Sequence, residues 1–212
     1  MASMADTAAN PTRRNRRRPA TRGSGEALRA EILEAAGAIL AASGDASQVT
    51  LRGVARRVGI AATSIYLHFS DVEQLLLEVK QLRFTEFNQL IQDAADAAGE
   101  DPTDRIRAMG RAYVDFGITN PGHYRVLFSA PIHTALVPSE LGYLGSASFS
   151  LISREAARLL GVADDDPDAQ LLATDLWCAV HGMVHLRSMK TTFPWPEVHV
   201  QVDGLVARLV TR

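Results

Sequence analysis

From residue 28 to near the carboxyl terminus, the apolar residues of this 212-residue chain recur almost throughout at spacings of three and four, and no strand-like alternation with polar ones extends far enough to build a sheet. A period near 3.6 sets such residues on one face of an α-helix, whereas a half-buried strand needs a period of two. The chain is therefore committed to helices packed on helices. Leu28, Ile32, Ala35, Ala36, Ile39 and Leu40 form the first stripe, which Ser43-Gly44 closes. Thr50 is a good N-cap for a short helix through Leu51, Val54, Ala55 and Val58, stopped by Gly59, and a second short helix is expected over 61–67. Ser70-Asp71-Val72-Glu73 has capping-box form and opens a long helix to about residue 98, striped by Val72, Leu75, Leu76, Val79, Leu82, Phe87, Leu90 and Ile91. Pro102, Pro121, Pro138 and Pro167 punctuate helical stretches at about 103–119, 122–128, 138–160 and 168–190. Pro194 and Pro196 introduce a last helix ending near residue 210. The expectation is an all-α chain of nine helices without internal repeat.

Composition removes other classes. No apolar run reaches the length of about 18 residues that a spanning helix needs, and the single Cys178 cannot close an internal disulfide. A reducing cytoplasm is the simplest address. The net charge of −2 conceals an asymmetry: residues 1–70 carry ten arginines and five acidic groups, residues 71–212 twelve basic and nineteen acidic groups. A basic front on an acidic body points to a polyanionic partner for the first part and another task for the second. Residues 1–25 hold Arg13, Arg14, Arg16, Arg17, Arg18 and Arg22 with no hydrophobic face, and read as a disordered arm. The apolar run after it has the outline of a signal peptide, but Glu31 and Glu34 interrupt it and no export is implied.

The segment from Thr50 to Phe69 is richest in meaning. Two short helices joined at Val58-Gly59-Ile60 make a helix-turn-helix, which presents its second helix to a major groove. A buried helical corner suits its apolar half but leaves Arg52, Arg56, Arg57, Thr63, Ser64, Tyr66 and His68 unexplained, since all need solvent or a partner. Thr50-Leu51-Arg52-Gly53-Val54-Ala55, Gly59-Ile60, Ile65-Tyr66-Leu67-His68-Phe69 and Glu73-Gln74-Leu75-Leu76 together resemble the DNA-binding domain of the TetR/AcrR family. Ala61 stands where that family commonly has a capping serine, and Val72 where it has a lysine that meets a phosphate. The resemblance implies that Thr50 and Arg52 touch one phosphate backbone and that Tyr66 and His68 anchor on the other. The outward Ala62, Thr63 and Ser64 then face the bases, with Ile65 and Phe69 in the core. The arm, with Arg16, Arg17 and Arg18, adds cationic contact or remains a solvated tail.

In the second half, Leu172, Leu176, Ala179, Met183 and Leu186 recur at alternating four and three, as do Val198, Val202, Leu205 and Leu209. Such a pattern suits a seam between nearly aligned helices, serving either the monomer core or a four-helix dimer interface. The family resemblance favours the dimer. Trp177-Cys178-Ala179-Val180-His181-Gly182 also resembles the WHG domain of one branch of that family.

His181 and His185 have the spacing of a helical two-His metal site, yet no third ligand is indicated, and Cys178 with His181 lacks an ordering third group and an oxyanion site. No metal, cofactor or catalysis is expected. Tyr113, Phe116, His123, Tyr124 and Phe128, with Trp177 and His181, are concentrated aromatic and polar residues in a chain with only 6% aromatics. They suit either plain core packing or an apolar cavity for a small molecule.

The expected organisation is an arm at 1–25, a three-helix helix-turn-helix DNA-binding domain at 26–72, and a helical effector-binding and dimerisation domain at 73–212, joined by the long helix. The resemblance implies a homodimeric, ligand-responsive regulator of transcription, a repressor released from a palindromic double-stranded operator by a small apolar effector. A protein that coats DNA without sequence preference is the alternative.

Overall fold

A computed structural model describes residues 24–128 and 145–210. Arg16, Arg17 and Arg18, and the first part of the stretch expected at 138–160, lie outside the described residues. The order is α1 (Ser24–Ser43), a 3₁₀ turn at Ala46–Gln48, α2 (Leu51–Val58), α3 (Ala62–Ile65), α4 (Val72–Ala97), α5 (Pro102–Thr119), α6 (Pro121–Phe128), α7 (Ser146–Leu160), α8 (Pro167–Met189) and α9 (Val198–Val210). The described residues contain no strand, and none of their helices is long and apolar enough to cross a membrane.

Local chemistry sets the boundaries. Thr50 caps α2, its Oγ1 accepting from Gly53 N at 3.0 Å. Gly59 stops the helix in the left-handed region at φ +79°, with Gly59 N and Ile60 N both donating to Ala55 O. Asp101 and Asp166 cap α5 and α8, each followed by a proline in the first turn, where a missing N–H costs nothing.

Three expectations are corrected. The second short helix is the four-residue α3, not 61–67. Beyond Ile65 the chain tightens, with Leu67 N donating to Ser64 O and His68 N to Ile65 O, as Phe69 turns down into the core. The long helix begins at Val72 with Asp71 as its cap, one residue past the expected Ser70: Asp71 Oδ1 accepts from Gln74 N at 2.8 Å while Gln74 Oε1 accepts from Ser70 N at 2.9 Å. Helix α7 begins only at Ser146, because Gly145 precedes it at φ +98°.

Two cores are built along α4. Ile32, Ala36, Val54, Ile65, Phe69, Leu75 and Val79 close the first around α1 to α3. Phe87, Ile106, Val114, Leu127, Leu151, Leu176 and Val206 belong to the second. On α4 the change falls between Val79 and Phe84, and Phe84 is buried where the expected Leu90 is exposed. Helix α6 serves both cores, giving Val126 to the first and Tyr124 and Leu127 to the second. It also lies on the end of α1, where Arg125 Nη2 donates to Ala41 O at 3.2 Å. Small residues Ala156, Ala157, Ala169 and Ala173 let α7 and α8 approach closely.

Candidate functional site

In the helix-turn-helix, Leu51, Val54, Ala55, Ile65 and Phe69 point inward and hold the two helices on α1 and α4. Arg29 fixes the packing from outside, pairing with Glu78 and lying 4.9 Å over the Phe69 ring. Thr50, Arg52, Ala62, Thr63 and Tyr66 are exposed, and Ser64 and His68 half-buried. Thr50 accepts its cap bond through oxygen, so its hydroxyl proton remains available to a phosphate. Hydroxyls, a guanidinium, a phenol and an imidazole thus keep exposed surface along α2, α3 and the turn that follows. Leu67, 85% exposed beside Tyr66, is an outward residue that the sequence reading missed. An exposed leucine at the foot of α3 is its only signal.

Ala61 offers no side-chain oxygen to the first turn of α3, where Ser64 N donates to Ala61 O at 2.9 Å and the N–H groups before it are left to solvent or an anion. Ala61→Ser is therefore expected to raise stability by about 1 kcal/mol, read by urea unfolding of the whole chain. An unchanged midpoint would mean that a four-residue helix gains nothing from a cap.

A cavity of about 340 Å³ opens between α4, α5, α6, α7, α8 and α9. Phe84, Phe87, Phe128, Phe149 and Trp177 make much of its wall. Several rings meet edge to face: Phe87 and Tyr113 lie 5.4 Å apart at 82°, and Phe84 and Phe128 5.9 Å apart at 85°. At one place the wall turns polar. His181 Nδ1 lies 2.6 Å from Tyr124 Oη and 2.9 Å from Tyr113 Oη, with the two phenol oxygens 3.5 Å apart. Burial holds Tyr113 well above the ordinary phenol range and pushes Tyr124 up to about 12, so both keep their protons. Burial, then the neighbouring His185, lowers His181 from its ordinary value, which favours a neutral ring near pH 7. Lys80 also reaches the wall, and burial lowers it.

The description "Bacterial regulatory proteins, tetR family" matches residues 32–79, and "Tetracyclin repressor-like, C-terminal domain" matches residues 106–212. The chain belongs to the TetR family. Its fold is shared with a protein of unknown function from Rhodococcus sp. RHA1, at 23% identity and TM-score 0.73 over 87% of this chain and 94% of that one. A TetR family transcription regulator from Marinobacter aquaeolei VT8 is 18% identical, with TM-score 0.68 over 90% of this chain and 97% of the other. The fatty acid degradation regulator FadR from Bacillus halodurans is 17% identical, with TM-score 0.66 over 86% and 94%. This is accordingly a helix-turn-helix transcription regulator of the TetR family, whose members bind DNA and small-molecule effectors and act as dimers.

In this TetR-family chain, Tyr113, Phe128, Trp177 and His181 line the cavity. Phe116, His123 and Tyr124 do not: Phe116 packs on Phe87 at 5.1 Å, and Tyr124 stands behind the wall with its hydroxyl on His181. The reading missed Phe84 and Phe87 on α4 and Phe149 on α7, although the aromatic residues at 84 and 87 break an otherwise aliphatic stripe. The seam residues are also placed differently. Leu176, Met183 and Val202 are buried in the protomer's own core, with Leu172, Val198, Leu205 and Leu209 packed against it. Leu176, Met183 and Val202, enclosed by their own protomer, have no surface for a second copy, whereas Leu172, Val198, Leu205 and Leu209 are only half-buried. Ala179 and Leu186 stand outside that core cluster, Leu186 being exposed. His181 and His185 stack at 6.3 Å, and the described residues hold no group of three or more His, Cys, Asp or Glu able to bind a metal ion. Cys178 is exposed, whereas His181 Nδ1 is taken up by the tyrosines.

Proposed function

We propose that this chain is a homodimeric, cytoplasmic repressor that sets two copies of α3 on a palindromic operator and leaves it when a small, largely apolar effector enters the cavity. The observation that carries this reading is the place of α6. It puts Val126 under the helix-turn-helix and Tyr124 and Leu127 into the core that encloses the cavity. An effector that fits one arrangement of α6 better than another shifts the attitude of the reading head by its differential affinity, and DNA weakens the effector by the same factor.

On the operator, Thr50 and Arg52 take phosphates on one strand and Tyr66 and His68 on the other. Ala62, Thr63 and Ser64, joined by Leu67, meet base edges, where small side chains favour contact with thymine methyls. The second copy docks on the outward face of α8. Leu171, Cys178, Leu186 and Met189 are exposed there, and a Cβ at Gly182 would meet nothing within 4 Å, so another helix has room to approach.

Selection from a random duplex library with the full chain tests the reading. The expected product is a palindrome with half-sites about one helical turn apart, bound at least ~10³-fold more tightly than a shuffled duplex. Sedimentation is expected to show two chains. Arg52→Ala removes one phosphate contact per protomer and is expected to lower the salt slope of binding by about 2. Equal affinity for palindrome and shuffled duplex would replace this reading with a protein that coats DNA indifferently to sequence, and a monomer would remove the two-headed arrangement.

A further inference from the structure

The proton inventory of the Tyr113, Tyr124 and His181 cluster says what the cavity is built to hold. The neutral imidazole nitrogen Nδ1 either accepts one hydrogen bond through its single lone pair or donates one through its N–H. In the accepting tautomer, the Tyr124 hydroxyl at 2.6 Å donates to Nδ1. Among the described residues the Tyr113 proton then finds only the Tyr124 oxygen at 3.5 Å, beyond the normal range for O–H···O. In the donating tautomer, Nδ1–H serves one tyrosine oxygen, and both hydroxyl protons are left with that same 3.5 Å contact. Either way the cluster holds at least one more hydroxyl proton than it has well-placed acceptors. Tyr113 lines the cavity and Tyr124 does not, so the surplus donor on the cavity side is Tyr113 Oη–H.

The rest of the wall sets the body of the ligand. It is mostly aromatic and aliphatic, its described residues include no carboxylate, and its neutral imidazole supplies no charge. A cationic ligand would be desolvated with no opposite charge beside it and against Lys80 on the wall. An apolar carbonyl compound, by contrast, buries its body against the rings and gives its oxygen to the Tyr113 hydroxyl.

We infer that the effector is an uncharged, ring-sized apolar molecule bearing a hydrogen-bond acceptor of the ketone, ester or lactone kind, whose oxygen docks on the Tyr113 hydroxyl. This rests on the reading of the cavity as the effector site given above. Buried polar groups are a source of selectivity, because an analogue lacking the matching atom leaves them unpaired.

Three probes of equal heavy-atom count separate the alternatives by calorimetry on the full chain: 2-acetylnaphthalene, its hydrocarbon counterpart 2-isopropylnaphthalene, and 2-naphthoate. The ketone is expected to bind the wild type, and Tyr113→Phe to weaken it by about tenfold while changing the hydrocarbon by less than twofold. Retained hydrocarbon binding shows that the variant keeps its cavity. If Tyr113→Phe weakens ketone and hydrocarbon equally, or neither, the hydroxyl is not the docking donor and the inference falls while the cavity remains a ligand site. If naphthoate binds tightest, with its affinity lost in Lys80→Met, the cavity selects an anionic head instead. If the wild type binds none of the three, the effector reading of the cavity falls and this inference with it.

Discussion

Replacing Glu155 with Ala is expected to lower the unfolding free energy by about 3 kcal/mol, the low end of what breaking a buried ion pair costs. Glu155 on α7 and Arg105 on α5 are 4% and 8% exposed, and Arg105 Nε donates to Glu155 Oε1 at 2.8 Å. The same guanidinium donates from Nη1 to Ala95 O at 3.0 Å and Gly99 O at 3.1 Å, and from Nη2 to Asp96 at 3.1 Å. Arg158 holds the other carboxylate oxygen, Oε2, at 2.8 Å. One carboxylate thus pins α7 to the end of α4 and the start of α5, around the cavity that all three line. Without it Arg105 keeps its carbonyls and Asp96, so its charge is not stranded, which places the loss near the lower bound. Glu155→Gln keeps one acceptor and is expected to lose less than half as much. Urea unfolding of both variants checks this. A Glu155→Ala midpoint within error of the wild type would show that water enters and replaces the carboxylate without cost.

How much of this was legible beforehand depends on whether the deciding interaction is local. The cap at Thr50, the stop at Gly59 and the prolines at 102, 121 and 167 act within a turn or two, and the helices they bound lie where the pattern set them. Helix α3 was harder, because its end is set by Phe69 turning into a core that α1 and α4 complete. The pairing of Arg105 with Glu155 spans 50 residues and leaves no trace in periodicity. Helix α8 shows another limit. It carries apolar residues nearly all round, from Leu171 and Leu172 through Trp177, Val180 and Val184 to Met189. Several stripes at alternating three and four can be drawn on such a helix, and the one drawn through Leu176 and Met183 runs along the face that its own protomer buries. The cavity was legible in part for a related reason. Aromatic clustering near 113–128 showed where rings gather, but periodicity cannot tell whether a buried ring such as Phe84 meets another side chain or a void.

The join between the two cores is sensitive to a small change. Gly122→Ala is expected to cost about 2 kcal/mol, with the loss concentrated in α1 to α3. A Cβ at Gly122 would stand 2.5 Å from Ala41 O and 3.0 Å from the carbonyl carbon. Those are backbone atoms, so no rotamer change relieves the contact, and α6 must lift off the end of α1. Two terms compete. Alanine favours the helical state over glycine by up to about 1 kcal/mol, while overpacking a close contact costs roughly 1–3 kcal/mol. At 2.5 Å against backbone the clash wins. Lifting α6 also stretches the bond from Arg125 Nη2 to Ala41 O and draws Val126 out of the first core, whereas the packing of α5 on α8 and α9 is untouched. Hydrogen exchange distinguishes this from general loosening: amides of α1, α2 and the Ile65 turn are expected to exchange roughly tenfold faster or more, and those of α5 and α8 to keep their protection. Uniform loss across both cores would mean that the chain unfolds as one unit. No loss would mean that α1 and α6 slide past each other freely, and then α6 could not carry the state of the cavity to the helix-turn-helix.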